Sequence, residues 1–242
     1  MGKLEVCCRS DKGSQRASNE DSLLIREMEK DYLLAVADGL GGHAAGEIAS
    51  RMAVIELEET MKSHKLKGSE KEALAQGFSK ANREIYLLSN EHREYRGMGT
   101  TLVAALVSSG KVFIANVGDS RAYLIGDGIK QITRDHSLIQ EMVDENIVTK
   151  EESRVHPQKN ILTKSLGIDS KISPDFYMEQ LTGNTLLLCS DGLTDALTDD
   201  EIREIIFTTP HLEITCDRLI VTANEKGARD NITIILARER HE

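Results

Sequence analysis

Three apolar runs in this chain end at an aspartate, and a fourth begins just after one. The sequence LLAVA leads into Asp38, IANVG leads into Asp119, LLLCS leads into Asp191, and the run ITII follows closely on Asp230. A strand that is apolar at nearly every position has to be buried on both faces. We therefore expect each aspartate to lie at the rim of a hydrophobic core, partly removed from water, where several carboxylates would repel one another.

The recurrence of aspartate at strand ends indicates a metal site. Converging carboxylates are tolerated when a cation lies among them, and oxygen ligands without Cys or His favour Mg²⁺ or Mn²⁺ over Zn²⁺ or Cu²⁺. Glycine follows the aspartate at Gly39 and Gly192, which lets the backbone approach an ion closely enough for a carbonyl oxygen to bind it. A single Asp-Gly pair is commonly no more than a turn, so the hypothesis depends on the repetition.

The order of the predicted elements favours an α+β fold. Short strand-like runs occur in antiparallel series, and amphipathic helices come in pairs, at about 46–62 and from Ser69 onward, and again after Thr198. This order lacks the strand–helix alternation of a parallel doubly wound sheet. We expect a single domain over residues 1–242, built as a four-layer α-β-β-α sandwich in which helix pairs flank two antiparallel sheets.

Local signals refine this prediction. The pattern Ser/Thr-x-x-Glu predicts helix starts with capping boxes at Ser69–Glu72, Thr149–Glu152 and Thr198–Glu201. The β-branched residues from Thr100 to Val107 predict one continuous strand. Residues 137–167 are polar and contain two short predicted helices, so we expect this segment to be an insertion over the surface of the domain.

Composition excludes several classes of protein. The 242 residues carry a net charge of −10, which argues against nucleic acid or an anionic membrane surface as the main partner. No stretch approaches the ~18 apolar residues of a membrane span, and the first residues lack the apolar run of a signal peptide. The four cysteines form no CxxC units and are too few for a disulfide framework. We expect a cytoplasmic monomer.

Six short motifs occur along the chain in a particular order. They are Gly13-x-x-Arg16-x-x-Asn19-x-Asp21, Asp38-Gly39-Leu40-Gly41-Gly42-His43, Gly99-Thr100-Thr101, Gly118-Asp119-Ser120-Arg121-Ala122-Tyr123, Ser190-Asp191-Gly192-Leu193 and Asp230-Asn231-Ile232-Thr233. Each is weak alone, but together they resemble the type 2C family of metal-dependent protein Ser/Thr phosphatases, and its compact bacterial members in particular. The resemblance extends from about Arg9 to Leu236. The polar insertion at 137–167 resembles the family's flap and is called the flap below.

The resemblance implies a set of metal ligands. Asp38 would bridge two Mn²⁺ or Mg²⁺ ions, and the carbonyl oxygen of Gly39 would bind one of them. Asp191 and Asp230 would bind the other ion. Asp119, together with Asp191, would complete a third and weaker metal site, as in the bacterial members.

The resemblance also implies roles around the metals. Asp21 would act mainly through a metal-bound water, and Arg16 would hold the substrate phosphate, for which the planar guanidinium is suited. Eukaryotic members commonly have a His directly after the Asp-Gly pair as a proposed general acid, whereas this chain has Leu40 there. His43 is the nearest substitute as a proton donor, and a metal-bound water is an equal alternative.

The implied reaction is hydrolysis of phosphoserine and phosphothreonine in phosphorylated proteins, opposing a Ser/Thr protein kinase. Two metal ions would neutralise the dianionic phosphate and lower the pKa of water from ~15.7 towards neutrality. A second hypothesis is an inactive, phosphatase-like binding module, but such a protein would be expected to lack a metal carboxylate. A third, an ATP-dependent enzyme with a Mg²⁺ site, is disfavoured because the chain has no P-loop sequence.

Overall fold

Two antiparallel sheets form the centre of the fold. The computed structural model describes residues 4–29, 31–41, 45–63 and 68–239. The strands are β1 (Leu4–Asp11), β2 (Asp21–Met28), β3 (Asp31–Leu40), β4 (Gly99–Thr100), β5 (Leu102–Ser108), β6 (Lys111–Val117), β7 (Arg121–Ile125), β8 (Ile129–Gln131), β9 (Asp175–Gln180), β10 (Thr185–Cys189) and β11 (Ile232–Glu239). The first sheet has the order β1-β11-β10-β7-β8, and the second has the order β2-β3-β5-β6-β9, with β4 paired to β3.

Helices outside residues 137–167 cover the outer faces of both sheets, and two short helices lie within that segment. The helices are α1 (Ala45–Lys62), α2 (Glu70–Glu91), α3 (Leu138–Asp144), α4 (Lys150–Ser153), α5 (Asp191–Ala196), α6 (Asp199–Thr208) and α7 (Leu212–Glu225). None of the helices in the described part of the chain is long and apolar enough to cross a membrane.

Alternation along buried strands creates three apolar layers. On β3, Leu33 and Ala35 pack with residues of α1 and α2, whereas Leu34 and Val36 pack against the other sheet. The third apolar layer lies between the first sheet and α5, α6 and α7. Strands with both faces covered in this way must be apolar at successive positions. The predicted α-β-β-α sandwich is confirmed.

Strand register brings the predicted acidic residues to one end of the sandwich. Asp21 at the start of β2 lies opposite Asp38 near the end of β3. In the other sheet, Cys189 at the end of β10 pairs with Ile234 of β11. Asp191 follows β10 and Asp230 precedes β11, so an antiparallel pair places both aspartates at the same end.

Two of the three predicted capping boxes are confirmed. Thr149 and Thr198 each accept a hydrogen bond from the backbone of the Glu three residues on, whose carboxylate bonds back to the cap. The box at Ser69 is wrong, because its side chain makes no capping hydrogen bond to α2. Its ψ of 27° differs from the extended 160° of Thr198, so the hydroxyl is not aimed at the helix amides.

Other predictions need correction. The strand predicted from Thr100 to Val107 is divided into β4 and β5, because β4 pairs with β3 beyond the end of the main ladder. Strand β9 and helix α5 were not predicted at all. The flap segment contains α3 and α4, and isolated bridges join Ser137 to Leu162 and Leu166 to Thr100 at its base.

Candidate metal centre

The backbone of Asp38 is fixed by two threonines. The Asp38 amide donates a 2.9 Å hydrogen bond to the hydroxyl of Thr101, and the hydroxyl of Thr100 donates one of 2.8 Å to the Asp38 carbonyl oxygen. Thr101 also bonds the hydroxyl of Ser120 at 2.7 Å, which ties this strand end to the loop that carries Asp119. The Gly99-Thr100-Thr101 motif therefore positions Asp38 through its backbone rather than through its carboxylate.

Glycine is required beside two of the aspartates because other backbone approaches closely. A Cβ atom at Gly39 would lie 2.2 Å from the carbonyl oxygen of Gly46 and 2.7 Å from that of Glu20. A Cβ atom at Gly192 would lie 2.1 Å from the carbonyl oxygen of Asn231. Both glycines therefore keep the segments around Asp38 and Asp191 packed against neighbouring chain at distances that no side chain permits.

Within the acidic group, two buried carboxylate oxygens have no hydrogen-bond partner. The Ser190 hydroxyl donates a 2.8 Å hydrogen bond to Oδ2 of Asp21, while Oδ1 of Asp21 is buried and unpaired. Oδ1 of Asp191 is also buried and unpaired. An unsatisfied buried oxygen of this kind costs roughly 1–3 kcal/mol. Two such oxygens in an all-carboxylate group are the donors expected for a hard divalent cation, so these residues fit a Mg²⁺ or Mn²⁺ site.

The acidic side chains perturb one another electrostatically. Burial, followed by repulsion from Asp21 and Asp191, raises the pKa of Asp38 well above its ordinary value. Burial and repulsion from Asp119 do the same to the pKa of Asp191. Burial raises the pKa of Asp21 to about 6, and burial with repulsion from Asp135 raises the pKa of Asp119 to about 7. Buried carboxylates that raise one another's pKa in this way are typical of functional sites.

Arg16 lies at the edge of the acidic group. Its Nη2 donates a 2.6 Å hydrogen bond to Oδ2 of Asp230, and its side chain is 51% exposed. The other oxygen of Asp230 accepts a hydrogen bond from the Asn231 amide. The structure thus brings Arg16 to one of the predicted metal ligands, with about half of its side chain open to solvent.

Asn231 secures the loop that carries Arg16. Its Oδ1 accepts a 2.8 Å hydrogen bond from the Glu20 amide, and its Nδ2 donates to the carbonyl oxygens of Lys12 and Ser18 at 2.9 and 3.0 Å. One amide side chain, directly before β11, therefore makes three of the hydrogen bonds that hold the loop between β1 and β2.

Comparison with known proteins identifies the family. The model of the protein phosphatase 2C family matches residues 11–237. This chain belongs to the protein phosphatase 2C family. A relative from Listeria innocua named serine/threonine phosphatase stp is 42% identical over 234 residues, which cover 94% of this chain and 93% of that protein.

Solved structures of the same family share the fold. The crystal structure of the serine/threonine phosphatase Stp1 from Staphylococcus aureus aligns with a TM-score of 0.94 and 40% identity, covering 99% of this chain and 96% of that one. The catalytic domain of the serine/threonine protein phosphatase PstP, crystallised with two manganese ions, aligns with a TM-score of 0.86 and 34% identity over 97% of each chain.

The sequence-predicted residues of this phosphatase 2C chain fall into three groups. The first group consists of five aspartates that lie at one end of the sandwich and interact electrostatically: Asp21, Asp38, Asp119, Asp191 and Asp230. Arg16 contacts this group through Asp230. His43 lies outside the described residues. Within residues 4–29, 31–41, 45–63 and 68–239, no three His, Cys, Asp or Glu side chains are gathered closely enough to count as a preformed metal cluster.

Sequence reasoning assigned no role to several acidic residues of this site, among them Asp195 and Glu20. Asp195 lies one helical turn after Asp191 on α5, and both line a cavity of about 60 Å³ together with Asp119. Residues four apart on a helix lie on the same face, so the sequence would have indicated Asp195 if α5 had been predicted. Glu20 packs against α1, where its Oε2 would lie 2.0 Å from a Cβ atom at Gly46. Burial raises its pKa.

Proposed function

We propose that this chain is a metal-dependent protein phosphatase that hydrolyses phosphoserine and phosphothreonine residues in proteins. It belongs to the protein phosphatase 2C family, and relatives from Listeria innocua and Mycobacterium tuberculosis are named serine/threonine phosphatases. The observation that carries the mechanism is the acidic group at one end of the sandwich, in which Asp21 and Asp191 each have an unpaired buried oxygen.

In this proposal the acidic group binds two Mn²⁺ or Mg²⁺ ions. Asp38 would contact both ions, the Gly39 carbonyl oxygen would bind one, and Asp191 and Asp230 would bind the other. Asp119 and Asp191 would hold a third ion. Bound there, the metals supply charge neutralisation of the phosphate and acidification of water. Support comes from the donor set and from the related PstP domain, which was crystallised with two manganese ions.

The other residues of the site bind and orient. Arg16 would release Asp230 to a metal and place its guanidinium on the oxygens of the substrate phosphate, a pairing that suits its planar donors. Asp21 would accept a hydrogen bond from water at its unpaired Oδ1 and so orient that water. Proton transfer to the leaving Ser or Thr oxygen would come from His43 or from water.

The remaining expectations complete the proposal. Residues 1–242 would form one catalytic domain, with residues 137–167 as a flap beside the cavity that contains Asp119 and Asp191. The protein would act as a cytoplasmic monomer on phosphorylated proteins and would oppose a Ser/Thr protein kinase. Asp38, Asp191 and Asp230 are all retained, so nothing in the described residues favours the inactive alternative.

Hydrolysis of a phosphothreonine peptide tests the function directly. Release of phosphate should stop when EDTA removes the metal and return when Mn²⁺ or Mg²⁺ is added in excess. The Asp38→Asn variant, which removes one charged oxygen but keeps the size of the side chain, should stay inactive in the same Mn²⁺ concentration. Turnover that persists in EDTA, or an active Asp38→Asn enzyme, would refute the proposed metal site.

A further inference from the structure

His136 is a buried histidine between β8 and the flap that has no role in the proposed reaction. It is only 5% exposed, and both of its ring nitrogens are hydrogen-bonded. The Gly118 amide donates to Nδ1 at 3.0 Å, and Nε2 donates to Oδ2 of Asp175 at 3.2 Å. One accepting and one donating nitrogen define the neutral imidazole. Burial, and then the charge of Lys164, lowers the pKa of His136, which favours this form.

The backbone of His136 joins the same segments as its ring. Its amide donates to the carbonyl oxygen of Gly118 at 3.0 Å, and its own carbonyl oxygen accepts from the Thr163 amide at 2.9 Å. Ser137, the first flap residue, is next in the chain, and Thr163 lies near the other end of the flap. One residue therefore contacts both ends of the flap and the glycine that directly precedes Asp119.

The Gly118 loop has little freedom of its own. Gly118 has a φ of +102°, and a Cβ atom there would lie 2.6 Å from the Cβ of Thr101. Its amide donates to the His136 ring, and its carbonyl oxygen accepts from the His136 amide at 3.0 Å and from Nδ2 of Asn116 at 3.2 Å, so His136 helps to orient the peptides on both sides of Gly118.

Asp175 extends the connection to strand β9. Its Oδ1 accepts from Nζ of Lys164, a flap residue, at 3.3 Å, while its Oδ2 accepts from His136. The charged groups around the imidazole are therefore Asp175, Lys164 and Arg134, from β9, the flap and the segment before His136. Of the imidazole and these three charged side chains, the imidazole is the one that also bonds to the loop that carries Asp119.

We propose that His136 is a positioning residue that holds the flap and the Asp119 loop as one unit. In this arrangement the flap cannot move without disturbing the peptide before Asp119, so the substrate-facing surface and a carboxylate of the metal site are set together. The inference rests on the proposed function, because it assigns Asp119 and the flap to that site. A histidine that merely filled the core would affect overall stability without coupling these two segments.

Two substitutions separate the coupling from simple packing. His136→Ala removes both side-chain bonds. His136→Asn places an amide oxygen near the position of Nδ1, where it can accept from the Gly118 amide, but it cannot reach Asp175.

His156→Ala is the control, because His156 is in the flap and its Nδ1 accepts only a local bond from the Gln158 amide. Leu219 is a fully buried residue of α7, and Leu219→Ala controls for a general loss of stability.

Hydrogen exchange of the metal-free protein gives a readout that does not require activity. In His136→Ala, peptides covering residues 116–121 and 160–166 should both exchange roughly tenfold faster, the change expected for loss of a buried hydrogen bond. His136→Asn should restore protection in 116–121 but not in 160–166.

Kinetics give a second readout. With a phosphothreonine peptide, KM should rise more than kcat falls in His136→Ala, and the KM for a small aryl phosphate should change less.

The outcomes separate the possible failures. If only one of the two segments loses protection, if Leu219→Ala produces the same pattern, or if His136→Asn fails to restore residues 116–121, the coupling role is wrong. If the wild-type chain hydrolyses no phosphopeptide in Mn²⁺, the proposed function fails instead, and the exchange results alone decide whether His136 joins the two segments.

Discussion

At the residue scale, the central feature is a group of carboxylates that repel one another. Burial raises the pKa of Asp21 to about 6 and that of Asp119 to about 7, above the value of 3.8 for an ordinary aspartate. Between about pH 4 and pH 7 the folded, metal-free chain therefore binds more protons than the unfolded chain. The free energy of unfolding must fall as the pH rises through this window.

This repulsion predicts an inverted pH dependence of stability. In EDTA, the free energy of unfolding should decrease by about 2–4 kcal/mol from pH 5 to pH 8, since one pKa unit corresponds to about 1.4 kcal/mol. Urea titrations across this range would measure it. Asp119→Asn should reduce the slope, and saturating Mn²⁺ should remove most of it. A metal-free protein that gains stability towards pH 8 would contradict the electrostatic account.

Arg16 supplies a second prediction at this scale. Arg16→Ala should raise KM for a phosphopeptide by about tenfold with a smaller effect on kcat, because one charge-assisted contact contributes roughly 1.5–3 kcal/mol to binding. Arg229, an exposed arginine beside Asp230, is the matched control, and Arg229→Ala should leave KM within about twofold. Equal effects of the two substitutions would remove Arg16 from the phosphate site.

The identity of the acidic residues could be predicted from sequence, but their supporting contacts could not. Aspartates at the ends of apolar runs can be recognised from the sequence alone. The hydroxyl of Ser190 on Asp21, or the amide of Asn231 on the loop before Glu20, joins segments some 170 to 210 positions apart in the chain. No periodicity records such a contact, because it depends on the packing of one sheet on the other.

At the element scale, the start of α6 depends on one hydroxyl. Thr198 accepts a hydrogen bond from the Glu201 amide, and the Glu201 carboxylate bonds back to the Thr198 amide at 2.9 Å. Thr198→Ala should lower the free energy of unfolding by about 1 kcal/mol. Thr198→Ser retains the cap and should cost less than half as much. Denaturant titration of both variants checks the prediction, and equal losses would show that the hydroxyl bond is unimportant.

A cationic side chain, that of Arg154, holds the flap against α5. Nη2 of Arg154 donates to the carbonyl oxygens of Thr194 and Leu197 at 3.0 and 3.2 Å, at the C-terminal end of that helix. Arg154→Met should therefore increase proteolytic cleavage within residues 137–167 by several fold while the rest of the chain stays resistant. Lys150→Met is the control, because its bond to Asp199 is solvent-exposed and contributes little. Unchanged cleavage in Arg154→Met would contradict this docking.

Elements with strong local signals were predicted, and elements defined by their neighbours were not. The apolar strands and the boxes at Thr149 and Thr198 follow from short-range patterns. Strand β9 (Asp175–Gln180) is partly exposed along its whole length, and it exists because it pairs along the edge of β6. Helix α5 is only six residues long and begins at a predicted metal ligand, Asp191, and the sequence analysis assigned no element there.

At the scale of the whole molecule, three apolar layers explain why the site can exist. Both sheets are covered on both faces, so they can hold the ends of β3 and β10 rigidly while tolerating repulsion at the rim. The number of layers could be predicted from the order of elements and from strands apolar on both faces. The register that places Asp21 opposite Asp38 could not, because several registers satisfy the same alternation.

The most direct test of the account is anomalous X-ray diffraction at the manganese edge, from crystals of the protein grown or soaked with Mn²⁺. Two strong peaks should appear at the acidic end of the sandwich, with Asp38 contacting both and with Asp191 and Asp230 contacting one. A map with no manganese beside Asp38, in crystals whose protein hydrolyses phosphopeptide, would contradict the central claim that these carboxylates bind the ions required for hydrolysis.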